Sequence, residues 1–151
     1  MICHGHIIDI EGVQGYPHNM AALASRIALG SLSFMLLDGV WLGLLMTGFY
    51  RTHLAPIARM ANGGLSPDWS AALAVYLCLG AGIGVFVVPR AGTLAEALGY
   101  GALFGLVVYG VYDFTNLSTL RDWPLIVAVV DVAWGMVASA ICAAVVWTVA
   151  R

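Results

Sequence analysis

The chain has 151 residues, of which 62% are hydrophobic and only 9% are charged, and its formal net charge is −2. Soluble domains contain roughly 45–50% apolar residues, so this composition, with a mean hydropathy of +0.94, excludes a water-soluble globular protein. The weak negative charge leaves no basic surface, and we therefore expect no nucleic-acid partner. The partner that the composition indicates is the lipid bilayer.

Residues 1–19 differ in kind from the rest of the chain. They lack the charged start and the apolar stretch of a signal peptide. Cys3, His4, His6 and Asp9 are residue types that bind metals, but no second ligand group follows at a matching spacing. We predict a flexible N-terminal extension at 1–19, a four-helix transmembrane domain at 20–151, and no bound metal or cofactor.

Four long apolar segments make up the remainder. The first contains a single charge, Asp38, the fourth contains only Asp131, and the two between them contain none. Each is long enough to cross a hydrocarbon core of about 30 Å as a helix of about 20 residues. Short connections rich in proline and glycine favour antiparallel neighbours. We predict an all-α integral membrane protein, a four-helix antiparallel transmembrane bundle with helices at about 21–50, 68–88, 94–116 and 123–149.

The first and fourth predicted helices share the motif Asp-x-x-Trp. It occurs as LLDGVWLG at 36–43 and as VVDVAWGM at 129–136. At this spacing a carboxylate and an indole lie on one face of their helix. The indole N–H can then donate to the carboxylate, or its ring can line a cavity. Ionisable residues at such depth are costly, which makes them candidates for function.

A polar stripe on the third predicted helix completes a candidate site. In an antiparallel bundle this helix ends on the face where the fourth begins, so the carboxylates of all three helices should lie between the bilayer centre and one face. Arg121 is expected to form a salt bridge with Asp113, whereas Asp38 and Asp131 should share protons as a coupled pair. The predicted ligand or proton site consists of Asp38, Trp41, Tyr109, Asp113, Asn116, Asp131 and Trp134.

Several of these signals also have purely structural interpretations. Asp68 and Asp122 stand at predicted helix starts, where aspartate acts as a cap. The aspartates inside the helices can instead form a polar network that only holds the helices together. Two Gly-x-x-x-Gly pairs are more typical of close packing within one chain than of a dimer face: Gly39 with Gly43, and Gly101 with Gly105.

Two stretches resemble a known family. They are LLDGVWLGLLMTGFYRTHL at 36–54 and the region at 100–135 that contains YDFTNLSTLRDWP and DVAWG. Both are similar to small bacterial predicted membrane proteins, the domain-of-unknown-function family 2177. The resemblance implies a multi-pass protein of the bacterial inner (cytoplasmic) membrane, and it brings no activity or catalytic residue with it. The residues that match the family pattern are Asp38, Trp41, Tyr50, Asp113, Thr115, Asn116, Trp123, Pro124, Asp131, Trp134 and Gly135.

Three classes of function stay open. The first is binding or transport of a proton-coupled, cationic or amphipathic small ligand, since interior carboxylates often serve as proton relays. Four helices are few for a pathway, so this class implies a homodimer. The second is an accessory or structural subunit of a larger membrane complex. The third is a membrane-embedded enzyme that acts on a lipid, with an aspartate as general acid or base.

Overall fold

The computed structural model describes residues 20–61 and 64–150. Within them, four helical stretches are long and apolar enough to cross a membrane. Their outer surfaces are apolar as well, with Leu44 76% exposed and Val149 70% exposed. The predicted all-α membrane protein with a four-helix antiparallel bundle is confirmed. The extension expected at 1–19 lies outside the described residues. The four stretches are Met20–Leu45, Trp69–Arg90, Leu94–Thr119 and Leu125–Ala150.

Five α-helices and two strands build the described chain. A π-helical segment, Trp41–Leu45, follows the first helix, and a second one, Ile83–Val87, follows the third. The short strand pair, which was not predicted, lies in the first long connection. In chain order the elements are α1 (Met20–Val40), α2 (Thr47–Leu54), β1 (Met60–Ala61), β2 (Gly64–Leu65), α3 (Trp69–Gly82), α4 (Leu94–Thr119) and α5 (Leu125–Ala150).

The first predicted helix, at about 21–50, is not continuous. At its break the Met46 amide donates to the Trp41 carbonyl at 2.7 Å, one residue further back than in an α-helix. Met46 itself leaves the helical conformation, with φ −115° and ψ 10°. The Thr47 hydroxyl donates to the Leu42 carbonyl at 2.6 Å and so supplies a local partner for the disturbed backbone. The chain then resumes as α2, which buries Tyr50 against the bundle.

Side-chain caps fix the starts of α3 and α4. The Asp68 carboxylate accepts hydrogen bonds from the amides of Ser70 and Ala71, as the capping interpretation predicts. The hydroxyl of Ser70 and these amides also hold the pKa of Asp68 below its ordinary value. The Thr93 hydroxyl accepts from the Glu96 amide at 3.2 Å. The cap expected at Asp122 is not made: α5 begins at Leu125, and the amides of Val127 and Ala128 bond to the carbonyl of Pro124.

Glycines set the closest approach between α4 and α5. A Cβ atom added to Gly105 would stand 2.1 Å from the Gly135 carbonyl oxygen, and one added to Gly101 would stand 2.6 Å from the Ser139 oxygen. This pair therefore packs within the chain, as predicted. Gly39 and Gly43 behave differently, since added Cβ atoms there would meet nothing within 4 Å. The prediction that they pack within the chain is wrong.

Candidate functional site

The two Asp-x-x-Trp motifs meet through their indole rings. Trp41 and Trp134 are stacked, with ring centroids 4.3 Å apart and planes inclined by 2°. The Trp134 indole donates to Asp38 Oδ1 at 2.8 Å. The expected hydrogen bond between an indole and a carboxylate is therefore present. However, it joins the tryptophan of one motif to the aspartate of the other, across the bundle.

Tyr50 extends the network to the second motif. Its hydroxyl accepts from Trp41 Nε1 at 3.1 Å and donates to Asp131 Oδ1. The side chain is only 3% exposed. Burial and then the hydrogen bond to Asp131 raise the pKa of Tyr50 well above its ordinary value. The hydroxyl accordingly keeps its proton at physiological pH and remains a donor.

A continuous set of contacts thus connects two intramembrane aspartates. It runs from Asp38 through Trp134, the stacked Trp41 and Tyr50 to Asp131. Helix α3 adds Tyr76, whose hydroxyl interacts with the Asp38 carboxylate. Asp38 and Asp131 also lie within electrostatic reach of each other. We call these residues the aspartate network.

Sequence reasoning missed the two tyrosines of this network. In a continuous helix Tyr50 would lie about 18 Å along the axis from Asp38, too far to join the same site. Its match to the family pattern was the only signal that pointed to it. Tyr76 is a polar hydroxyl in an otherwise apolar helix, which is a weaker signal of the same kind.

Asp113 belongs to a separate group. It is completely buried, and neither of its carboxylate oxygens has a hydrogen-bond partner. Trp123 approaches the carboxylate, yet Trp123 Nε1 and Asn116 Nδ2 are likewise buried without a partner. The Trp123 ring contacts that of Tyr112 edge-on, with centroids 5.7 Å apart. Asp113 is within electrostatic reach of Asp131, so this group borders the aspartate network, but among the described residues no hydrogen bond joins the two.

Tyr109 lies beside the aspartate network, whereas Arg121 does not reach its expected partner. The Tyr109 ring packs over Gly135, where an added Cβ would stand 2.2 Å from the ring, and the side chain is within electrostatic reach of Asp38, Tyr76 and Asp131. Arg121 is exposed in the turn before α5. The structure does not bring it to Asp113, because that carboxylate points into the bundle while Arg121 lies beyond the end of α4. The ion pair found in the described part of the chain joins Arg59 and Asp68 at 3.9 Å.

Two further features concern the site: the grouping of possible metal ligands and a groove on the surface of α4. In residues 20–61 and 64–150 no three histidine, cysteine, aspartate or glutamate side chains are grouped so that they could hold a metal ion. An open apolar groove runs along the outer side of α4 and contains none of the predicted site residues. It is lined by Leu106, Val107, Gly110, Val111, Phe114, Thr115 and Ser118.

Comparison with known proteins gives a family and no closer relative. A family model described as "Predicted membrane protein (DUF2177)" matches residues 23–148. Neither the curated proteins nor the solved structures contain a match to the chain.

Proposed function

Because the chain belongs to the DUF2177 family of predicted membrane proteins, we propose that it acts within the bilayer, where the aspartate network binds and releases a proton together with a small cationic or amphipathic ligand. The proposal rests on one observation, the continuous set of contacts between Asp38 and Asp131. We place the protein in the bacterial cytoplasmic membrane. Its working unit is a homodimer or part of a larger membrane complex, because four helices alone are few for a pathway.

The chemistry of the donors supports a proton-linked role. The indole of Trp134 is neutral and donates only, and Tyr50 keeps its proton. Hydrogen bonds from neutral donors orient a carboxylate without cancelling its charge. The two aspartates therefore stay able to attract a proton or a cation from their surroundings. Because their charges repel each other, uptake of one proton relieves that repulsion and couples the two sites.

The same contacts favour one alternative, a purely structural network in an accessory subunit. It would tie α1, α2, α3 and α5 together through Asp38, Tyr50, Tyr76 and Asp131. The lipid-enzyme alternative has less support, because the groove on α4 holds no acidic side chain. The two supported functions differ in whether the carboxylates change their protonation.

Infrared difference spectroscopy on the protein in vesicles tests whether the two aspartates change their protonation. Acidification should produce the carbonyl band of protonated carboxyl groups, and Asp38→Asn and Asp131→Asn should each remove part of it. Asp122→Asn, in an exposed turn, is the matched control and should leave that part unchanged. A titration identical in wild type and both variants would contradict the proposal. Loss of helical circular dichroism in both variants would favour the structural alternative.

A further inference from the structure

A second polar cluster, formed by Asp113, Asn116 and Trp123, takes no part in the aspartate network. Asp113 has 0% exposed surface, and both carboxylate oxygens are buried without a hydrogen bond. Trp123 lies near the Asp113 carboxylate and Asn116 lies near the Tyr112 hydroxyl, yet Trp123 Nε1 and Asn116 Nδ2 are buried and neither makes a hydrogen bond. Buried polar groups in native proteins are almost always paired, so a cluster of four unpaired atoms calls for a partner.

The partner must both donate and accept hydrogen bonds. The carboxylate oxygens of Asp113 accept, whereas the amide of Asn116 and the indole of Trp123 offer donors. An ammonium group would serve only the acceptors, and a phosphate oxygen would serve only the donors. A hydroxyl group does both. Two neighbouring hydroxyls, each donating to one oxygen of Asp113 and accepting from one N–H group, would satisfy all four atoms.

The position of the cluster indicates a lipid headgroup. Trp123 lies in the turn between α4 and α5, and its ring contacts Tyr112, which is 56% exposed. Aromatic pairs of this kind are typical of the membrane–water interface. Since Trp123 belongs to a turn, its side chain can move away from Asp113 without breaking a helix. Arg121, exposed in the same turn, supplies a cation for a phosphate.

An acyl chain also has a place next to the cluster. The apolar groove on α4 is lined by Gly110 and Phe114, which flank Asp113 along the helix. The groove is on the outer side of α4 whereas Asp113 is fully buried, so the hydrocarbon chains of a lipid bound there would lie along the outer side of this helix.

We propose that the cluster binds the vicinal diol of a phosphate-linked polyol lipid, of which phosphatidylglycerol is the simplest. Asp113, Asn116 and Trp123 take the hydroxyls, and Arg121 takes the phosphate. The diol contacts use no residue of the aspartate network, although Asp113 is within electrostatic reach of Asp131. Lipid selectivity and proton uptake are measured separately, so each assignment can fail without the other.

The test compares two lipids that differ only in their hydroxyls. Phosphatidylglycerol and phosphatidylpropanol carry the same single negative charge and a three-carbon headgroup, but the second has no headgroup hydroxyl. The full chain in detergent is given an equimolar mixture, and the lipid that it retains is counted by native mass spectrometry. We expect phosphatidylglycerol to be preferred about tenfold or more, because its hydroxyls would pair buried polar atoms that otherwise have no hydrogen bond. Asp113→Asn and Trp123→Phe should each bring the ratio close to one.

Further variants separate the diol from the charge. Asp122→Asn should leave the preference unchanged, and Arg121→Gln should weaken retention of both lipids while keeping their ratio. Equal retention by the wild type, or a preference that survives in both Asp113→Asn and Trp123→Phe, would overturn the proposal. If Asp113→Asn does not fold, Trp123→Phe decides alone. Displacement of phosphatidylglycerol by the same concentration of free glycerol would overturn the assignment to a lipid.

Discussion

Tyr50 is the residue on which the connection between the two motifs depends. It accepts a hydrogen bond from Trp41 and donates one to Asp131. A phenol suits this position because one oxygen both accepts and donates, while its raised pKa keeps the donated proton in place.

Removal of this hydroxyl should destabilise the fold. Tyr50→Phe keeps the ring but leaves Trp41 Nε1 and Asp131 without their partner, which should lower the free energy of unfolding by about 1–3 kcal/mol. Tyr100→Phe serves as the control, because Tyr100 is 43% exposed. Unfolding by a denaturing detergent, followed by circular dichroism, measures both. Equal stability of the two variants would show that the hydroxyl contributes nothing to the fold.

At the scale of elements, the break after α1 decides which side chains reach the aspartates. The four spans could be predicted because hydrophobic length is a property of each segment alone. The π-helical turn at Trp41–Leu45 could not, because no local sequence pattern marks it, and the stacking of Trp41 on Trp134 joins residues that lie far apart in the sequence. For the same reason the hydrogen bond from Trp134 to Asp38 could not be predicted from the sequence. A motif shows which face its residues share, and the lateral packing of helices decides which partner each residue meets.

The break should be sensitive to one hydroxyl. Thr47→Val preserves the shape of the side chain but removes the donor to the Leu42 carbonyl, so we expect a loss of about 0.5–1.5 kcal/mol. Thr52→Val is a matched control, since the Thr52 hydroxyl only bonds the Gly48 carbonyl within the exposed turn of α2. Detergent unfolding of both variants tests the difference. An effect as large in Thr52→Val would mean that the break does not depend on Thr47.

The close packing of α4 against α5 leads to a second prediction at the scale of elements. Gly105→Ala places a methyl group against the backbone of Gly135, which forces the helices apart. Overpacking of this kind typically costs 1–3 kcal/mol or more. Gly99→Ala, in the same helix but with nothing within 4 Å of the added Cβ, should be neutral or stabilise by up to about 1 kcal/mol. Thermal unfolding in detergent compares them, and equal midpoints would refute the proposed close packing.

Over the whole molecule, polar and apolar packing are separated between the two ends of the bundle. The aspartate network and the Asp113 cluster lie toward the end where α1 stops and α5 starts. At the other end the core is apolar, and two bonds to backbone carbonyls close it. Arg26 Nε donates to Ala150 at 2.8 Å, and Trp147 Nε1 donates to Ala91 at 2.9 Å.

The antiparallel bundle predicts on which side of the membrane each connection lies. Cysteines introduced as Met60→Cys and Arg90→Cys, in a background without Cys3, Cys78 and Cys142, should react with an impermeant thiol reagent from opposite sides of oriented vesicles. The reason is that an odd number of spans separates the two positions. Labelling of both from one side would contradict the antiparallel bundle.

The stacked indoles also give the molecule an optical property. Two indoles with centroids 4.3 Å apart and nearly parallel planes are close enough for their electronic transitions to mix, so their near-ultraviolet absorption is shared. The resulting exciton signal exists only while the end of the first membrane-spanning helix, which carries Trp41, stays docked on α5. The protein therefore contains a built-in spectroscopic marker, needing no added label, of any motion that separates the two helices.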